Sequence, residues 1–236
     1  MSQQAFIRLA ADFTQRVVVR PEDHQWVASP MAGVERMMLD RVGGEVARAT
    51  SLVRYAPHSS FSPHSHGGGE EFLVLSGVFS DEHGDYPAGT YVRNPIGTAH
   101  QPHIGPEGCV IFVKLHQFEA ADQDQKAINL WQSSWRKDSA SGCDHLPLHQ
   151  FGNETVAIEK WQPDSPLPAR RYPDGAEILV LEGSFSDEDG TYGKDTWLRL
   201  PPGAGHAPVS GDQGTLVYIK MGHLPPKLNP DLMGES

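Results

Sequence analysis

The chain repeats itself. With the numbering shifted by 106, EFLVLSG (71–77) falls on EILVLEG (177–183), and FSDEHGDY (79–86) falls on FSDEDGTY (185–192). Pro95, Gly97, His100 and Pro102 fall on Pro201, Gly203, His206 and Pro208. From 71 to 102, 17 of 32 positions are identical without a gap. Further upstream the offset is 109: Trp26 meets Trp135, Gly33 meets Gly142, Leu39 meets Leu148 and Gly43 meets Gly152. A duplicated unit of roughly 110 residues explains this better than chance. It implies a first domain over 1–118, a second over 119–224 and a proline-rich tail over 225–236, with the boundary in the polar stretch EAADQDQ (119–125).

The repeated unit reads as strands. TQRVVVR (14–20), GVERMML (33–39) and ARATSLVRY (47–55) are β-branched or alternating, and CVIFVKL (109–115) is a near-continuous apolar run. Residues 2–14 carry a weaker pattern, a short helix or a loose arm. With 24 Gly and 19 Pro in 236 residues, many short strands and turns are favoured over long helices. The sequence predicts an all-β chain of two tandem barrels. Val17, Val18 and Val19 are expected to pair with an exposed sheet edge, in the same chain or in a second copy as a homodimer.

Composition excludes several roles. A net charge of -11 argues against a nucleic-acid surface. No apolar run approaches a membrane span, and the N-terminus does not read as a signal peptide. Two cysteines without a CxxC pair fit a reducing cytoplasm and no disulfide framework. Cys109 is expected to be buried and inert, Cys143 to lie in a loop.

His64, His66, Glu70 and His100 are candidate ligands for one metal ion. His64 and His66 are two apart, so on an extended strand both leave the same face. A hairpin between Glu70 and His100 returns the chain to its start. Three imidazoles and one carboxylate suit a divalent first-row metal. Of the other histidines, His58 and His103 are nearest in sequence, and neither recurs in the second copy.

These residues also carry a family resemblance. HxHxxxE at 64–70, followed by Gly77, resembles the first cupin motif, and PxGxxH at 95–100 resembles the second. The fuller string GGEEFLVLSGVFSDEHGDYPAGTYVRNP resembles the ChrR-like cupins, named for the zinc-binding C-terminal domain of a bacterial anti-sigma factor. It is also similar to the non-haem iron dioxygenase that cleaves acetylacetone. The resemblance implies two jelly-roll barrels of the cupin type, with the metal at the matching positions. Zinc is the expected ion, with iron, manganese and nickel as alternatives.

The duplication supplies an internal control. Glu71, Tyr86, Arg93 and Lys114 recur as Glu177, Tyr192, Arg199 and Lys220, which marks them as structural. The metal positions do not recur: His64 becomes Arg170, His66 becomes Tyr172 and Glu70 becomes Ala176, while His100 keeps its equivalent His206. One metal per chain is therefore expected. Arg170, Tyr172 and His206 either fill the second pocket against local acids or form an anion site.

Two functions follow. One is a sensory or regulatory metal-binding bicupin in a stress-response or transcription-regulation setting. A sigma-factor partner is not expected, because the chain has no HxxxCxxC motif and only a short segment before the cupin. The other is a metal-dependent dioxygenase acting on a small chelating ligand such as a 1,3-diketone.

Overall fold

The computed structural model describes residues 6–44, 46–138 and 140–225. The strands are β1 (Ile7–Leu9), β2 (Val17–Val19), β3 (Val27–Ala28), β4 (Val34–Gly43), β5 (Ala47–Tyr55), β6 (His64–Ser65) and β7 (Glu70–Asp81). There follow β8 (Gly84–Pro87), β9 (Thr90–Asn94), β10 (Ala99–His100), β11 (His103–Leu115) and β12 (Lys126–Asn129). The second copy supplies β13 (Cys143–Phe151), β14 (Glu154–Trp161), β15 (Arg170–Tyr172), β16 (Ala176–Asp187), β17 (Gly190–Gly193), β18 (Trp197–Leu200), β19 (Ala204–His206) and β20 (Val209–Met221). One 3-10 turn, Pro21–Asp23, interrupts an otherwise all-β chain among the described residues. The N-terminal segment is not helical where it is described: Ile7–Leu9 is a strand against β4. Residues 2–5 and the tail beyond 225 lie outside the described residues.

Two compact units result. Among the described residues, one holds 6–11 and 25–132, the other 12–24 and 133–225. In the first, the sheet order is β1-β4-β5-β11-β7-β9-β12, with β6 and β10 forming a small second sheet. In the other the order is β13-β14-β20-β16-β18-β2, with β15 and β19 as the small sheet. Apart from β1 and β3, which add to the β4 edge of the first, the two barrels share one strand order.

The outermost strand of each is exchanged. Val17, Val18 and Val19 of β2 lie against Arg199, Leu198 and Trp197 of the second barrel. Lys126, Ala127 and Ile128 of β12 lie against Arg93, Val92 and Tyr91 of the first. The two registers agree residue for residue under the offsets read from the sequence, 109 for the exchanged strands and 106 for their partners. The opening strand of each copy therefore completes the sheet of the other copy. Val17–Val19 thus finds its edge within its own chain.

The inner faces are apolar. Phe61, Phe72, Val74, Phe79, Ile104 and Ile111 are core residues of the first barrel, and Trp161, Ile178, Phe185, Tyr192, Leu198 and Ile219 of the second. The opposite face of each long strand carries buried charge. Glu71 accepts from Arg93 at 2.9 Å and from the Tyr91 hydroxyl at 2.7 Å, and the Phe118 ring lies 3.9 Å from the Arg93 guanidinium. Glu177 accepts from Trp197 at 3.2 Å and His223 at 2.8 Å, with Phe13 lying 4.4 Å from Arg199. The shared acids thus sit in networks of fixed donors, as the fold requires of buried carboxylates.

Candidate metal centre

The short sheet of β6 and β10 builds the centre. His64 and His100 are direct cross-strand partners, so their side chains leave the same face. The main chain then turns through Gly67–Gly69 and enters β7 at Glu70. The glycines make room: a Cβ at Gly68 would collide with the His116 ring, and one at Gly69, where φ is +76°, would collide with Phe118. His66 reaches the same centre from this turn.

The three histidines converge, and Glu70 lies beside two of them. His100 Nε2 lies 3.2 Å from His64 Nε2 and 3.3 Å from His66 Nε2. Glu70 Oε2 lies 3.3 Å from His66 Nε2 and 3.7 Å from His100 Nε2. The rings meet edge to face, with interplanar angles of 89°, 72° and 77°. Metal–ligand bonds of about 2.1 Å would separate neighbouring donors by about 3.0 Å in an octahedron or about 3.4 Å in a tetrahedron. The 3.2 and 3.3 Å spacings fall in this range.

The outer nitrogens decide what faces inward. His64 Nδ1 lies 3.2 Å from the Ser62 carbonyl, and His100 Nδ1 lies 3.2 Å from Asp81 Oδ2. His66 Nδ1 lies 3.0 Å from Thr98 Oγ1, whose own proton goes to the Pro95 carbonyl at 2.7 Å. Each Nδ1 therefore faces an acceptor and carries the proton, by inference from these partners. Three Nε2 lone pairs are left pointing at one another, with the Glu70 carboxylate beside those of His66 and His100. That arrangement is repulsive until a cation enters it, so the donor set fits a divalent metal.

Electrostatics favour the metal-binding forms. Burial pushes His100 below the ordinary imidazole value, outweighing the charge of Glu70. Burial opposes the Glu70 charge, but the hydrogen bond and charge of His66, with His100 and His64, hold the carboxyl below its ordinary value. His66 and His100 are buried while His64 is exposed, so the centre opens to solvent on the His64 side. Neither His58 nor His103 joins the cluster. A cleft of about 560 Å³ lined by Met31, Val34, Tyr55, Gly108 and Cys109, among others, contains none of the four residues.

The second barrel fills the same place differently. Arg170 pairs with Glu159 at 2.6 Å, and Glu159 also accepts from Trp161 at 2.8 Å. Glu159 holds the Arg170 pKa above its ordinary value against the effect of burial. The register of β14 with β20 puts Glu159 at the place of Val53, so the acid arrived where the first barrel has a core valine. Tyr172 is buried and its ring lies 6.2 Å from that of His206. His206 Nε2 lies 3.3 Å from Asp187 Oδ2, although neither ring nitrogen is aligned for a hydrogen bond. Asp187 is bound at 2.6 Å by Arg16 of the exchanged segment. Cys109 is buried as expected. Cys143 starts β13 rather than lying in a loop, and it is buried with its sulfur 3.9 Å from Arg170; burial pushes its thiol up to about 12.

Asp81, Thr98 and Glu159 were not singled out in the sequence. The one signal for Asp81 was its recurrence as Asp187 in a motif that reads as a turn.

Comparisons agree with this architecture. A candidate dioxygenase from Nostoc punctiforme superposes with a TM-score of 0.73 at 15% identity, over 91% of this chain and 85% of that one. A candidate glyoxylate-induced protein from Pseudomonas aeruginosa gives 0.71 at 12% identity, over 95% and 93%. The oxalate decarboxylase of Bacillus subtilis, which has Mn(II) centres, gives 0.60 at 12% identity, over 86% and 76%. At these identities the likeness establishes the fold. A search of curated proteins gives no match to the sequence. A family model for the ChrR cupin-like domain matches twice, over residues 14–119 and 123–225. With both copies of the repeat matched and both folded as the same barrel, the chain belongs to the ChrR cupin-like family.

Proposed function

We propose that the first barrel holds one divalent transition metal on His64, His66, Glu70 and His100 and acts as a metal-dependent dioxygenase on a small chelating substrate. The observation that carries this reading is the convergence of three imidazole nitrogens beside the Glu70 carboxylate, with one side open to solvent. A purely structural site would be closed on all sides. The likeness to a candidate dioxygenase supports the same reaction class.

When bound, the metal supplies Lewis acidity toward a chelated oxygen and, as ferrous iron, redox chemistry with dioxygen. The chain supplies orientation. Asp81, Thr98 and the Ser62 carbonyl hold the Nδ1 protons of the three histidines. Asn94 Nδ2 lies 3.4 Å from Glu70 Oε2 and steadies the carboxylate. Phe79, whose ring centre is 5.7 Å from that of His100, forms an apolar wall that keeps water from the buried side. A sensory role rests on the family resemblance alone.

Elemental analysis of protein purified without added metal, followed by oxygen uptake with 1,3-diketones on the iron-loaded form, tests the proposal. One equivalent of metal per chain and uptake abolished by a chelator are expected. A loaded protein inert toward every diketone would favour the sensory role instead.

A further inference from the structure

The inner wall of the first barrel carries two arginines. Arg36 of β4 is the cross-strand partner of Val53, and Val53 that of Ile111, both core residues. Residues directly opposite in a sheet point to the same side, so Arg36 enters the barrel. A register shift between Met38 and Asp40 changes the alternation beyond it. Arg41 then pairs with Ala49, Ala49 with Leu115, and Leu115 with Glu70. Arg41 thus stands in the same cross-strand row as a metal ligand and faces the same interior.

Neither guanidinium has an acidic partner among the described residues. Arg41 is 4% exposed; its Nη2 donates to the Gly44 carbonyl, and its Nε has no partner among the described residues. Burial, and then the charge of Arg36, push its pKa below the ordinary value. Burial raises the Tyr55 pKa, with Glu70 adding to it and Arg36 opposing it, and burial lowers that of His116, with Arg41 and then His66 adding to it. Among the described residues the two like charges have no acidic partner, which is costly for the buried Arg41, and an anion between them removes that cost.

The repeat points the same way. By register, the counterparts are His145, opposite Glu159, and Gln150, opposite Thr155. The half that lost the metal ligands lacks both arginines.

We propose that Arg36 and Arg41 form the anion end of a ligand pocket whose other end is the metal centre, so that the ligand is a small carboxylate with adjacent chelating oxygens, such as a dioxo acid. The chelating half rests on the metal reading above; the arginine half stands without it. Guanidinium forks suit the planar, two-oxygen carboxylate, and a charge-assisted contact of this kind changes affinity roughly ten- to a hundredfold.

Two probes that differ in one group test this. Cobalt-loaded protein is titrated by visible absorption with acetylacetone and with 2,4-dioxopentanoate, in which a carboxylate replaces one methyl. Wild type should prefer the dioxo acid, and Arg41→Met or Arg36→Met should lower the affinity ratio about ten- to a hundredfold, with Arg41→Lys keeping part of the preference. A second arm uses metal-free protein. Malonate should raise the Tm of wild type and not of Arg41→Met, and Arg41→Met without ligand should unfold no earlier than wild type, unlike the loss of a structural ion pair. Circular dichroism confirms folding of each variant. If no cobalt is retained, the metal reading fails and the malonate arm alone decides the arginine pair. An affinity ratio indifferent to both arginines, no malonate shift in wild type, or a larger shift with inorganic phosphate than with malonate would overturn the carboxylate assignment.

Discussion

His100 turns Nδ1 toward Asp81, 3.2 Å from its carboxylate, whereas the equivalent His206 turns Nε2 toward Asp187 at 3.3 Å. The first orientation leaves Nε2 for a shared centre. In the second, the ring turns the nitrogen that would face a centre toward the carboxylate, and Arg16 already binds that carboxylate. One pair of residues therefore plays two roles in the two barrels.

Asp81→Asn should weaken metal binding about ten- to a hundredfold, the usual cost of removing the group that orients a ligating histidine. Asp187→Asn should leave metal affinity unchanged. Competition with a metallochromic chelator measures both.

His66→Ala should release the metal, because no second set of donors can retain it. His206→Ala should leave one equivalent per chain. Elemental analysis after gel filtration separates the outcomes; two equivalents in wild type would contradict the asymmetry.

The metal-free protein should lose stability as the pH falls. Burial depresses His100 below its ordinary value of 6.5, so the unfolded chain takes up that proton before the native one does. The contribution is complete above about pH 6.5 and is lost as the pH falls through the lower native value. Glu70, also depressed, adds a loss in the same direction below its ordinary 4.5. Tm measured from about pH 7.5 to 5.5 should decline, and His100→Gln should flatten the decline.

Val18→Pro should destabilise the second barrel by about 1–3 kcal/mol, since proline removes a ladder donor and disturbs the strand opposite Leu198. Trp161 and Trp197, 2% and 0% exposed, report that barrel by fluorescence. Their emission should shift red at a lower denaturant concentration than in wild type. An unchanged midpoint would mean that the exchanged strand contributes little.

Much of this protein was legible in its sequence. The duplication, the alternating strands and the HxHxxxE and PxGxxH spacings are local patterns, and local patterns survive as local structure. They were enough to name the barrel type and to point to the three histidines that the structure brings together. Three features were settled only by the tertiary structure. The exchange of β2 and β12 depends on which sheet edge a strand meets, and two copies of one fold offer each strand two equivalent edges. The entry of Arg41 into the barrel depends on a register shift between Met38 and Asp40, which redirects the side chains beyond it without a mark in the composition. The pairing of Arg170 with Glu159 joins residues on different strands whose facing is set by hydrogen-bond register. Sequence fixes which groups are available; long-range strand pairing fixes which of them face one another.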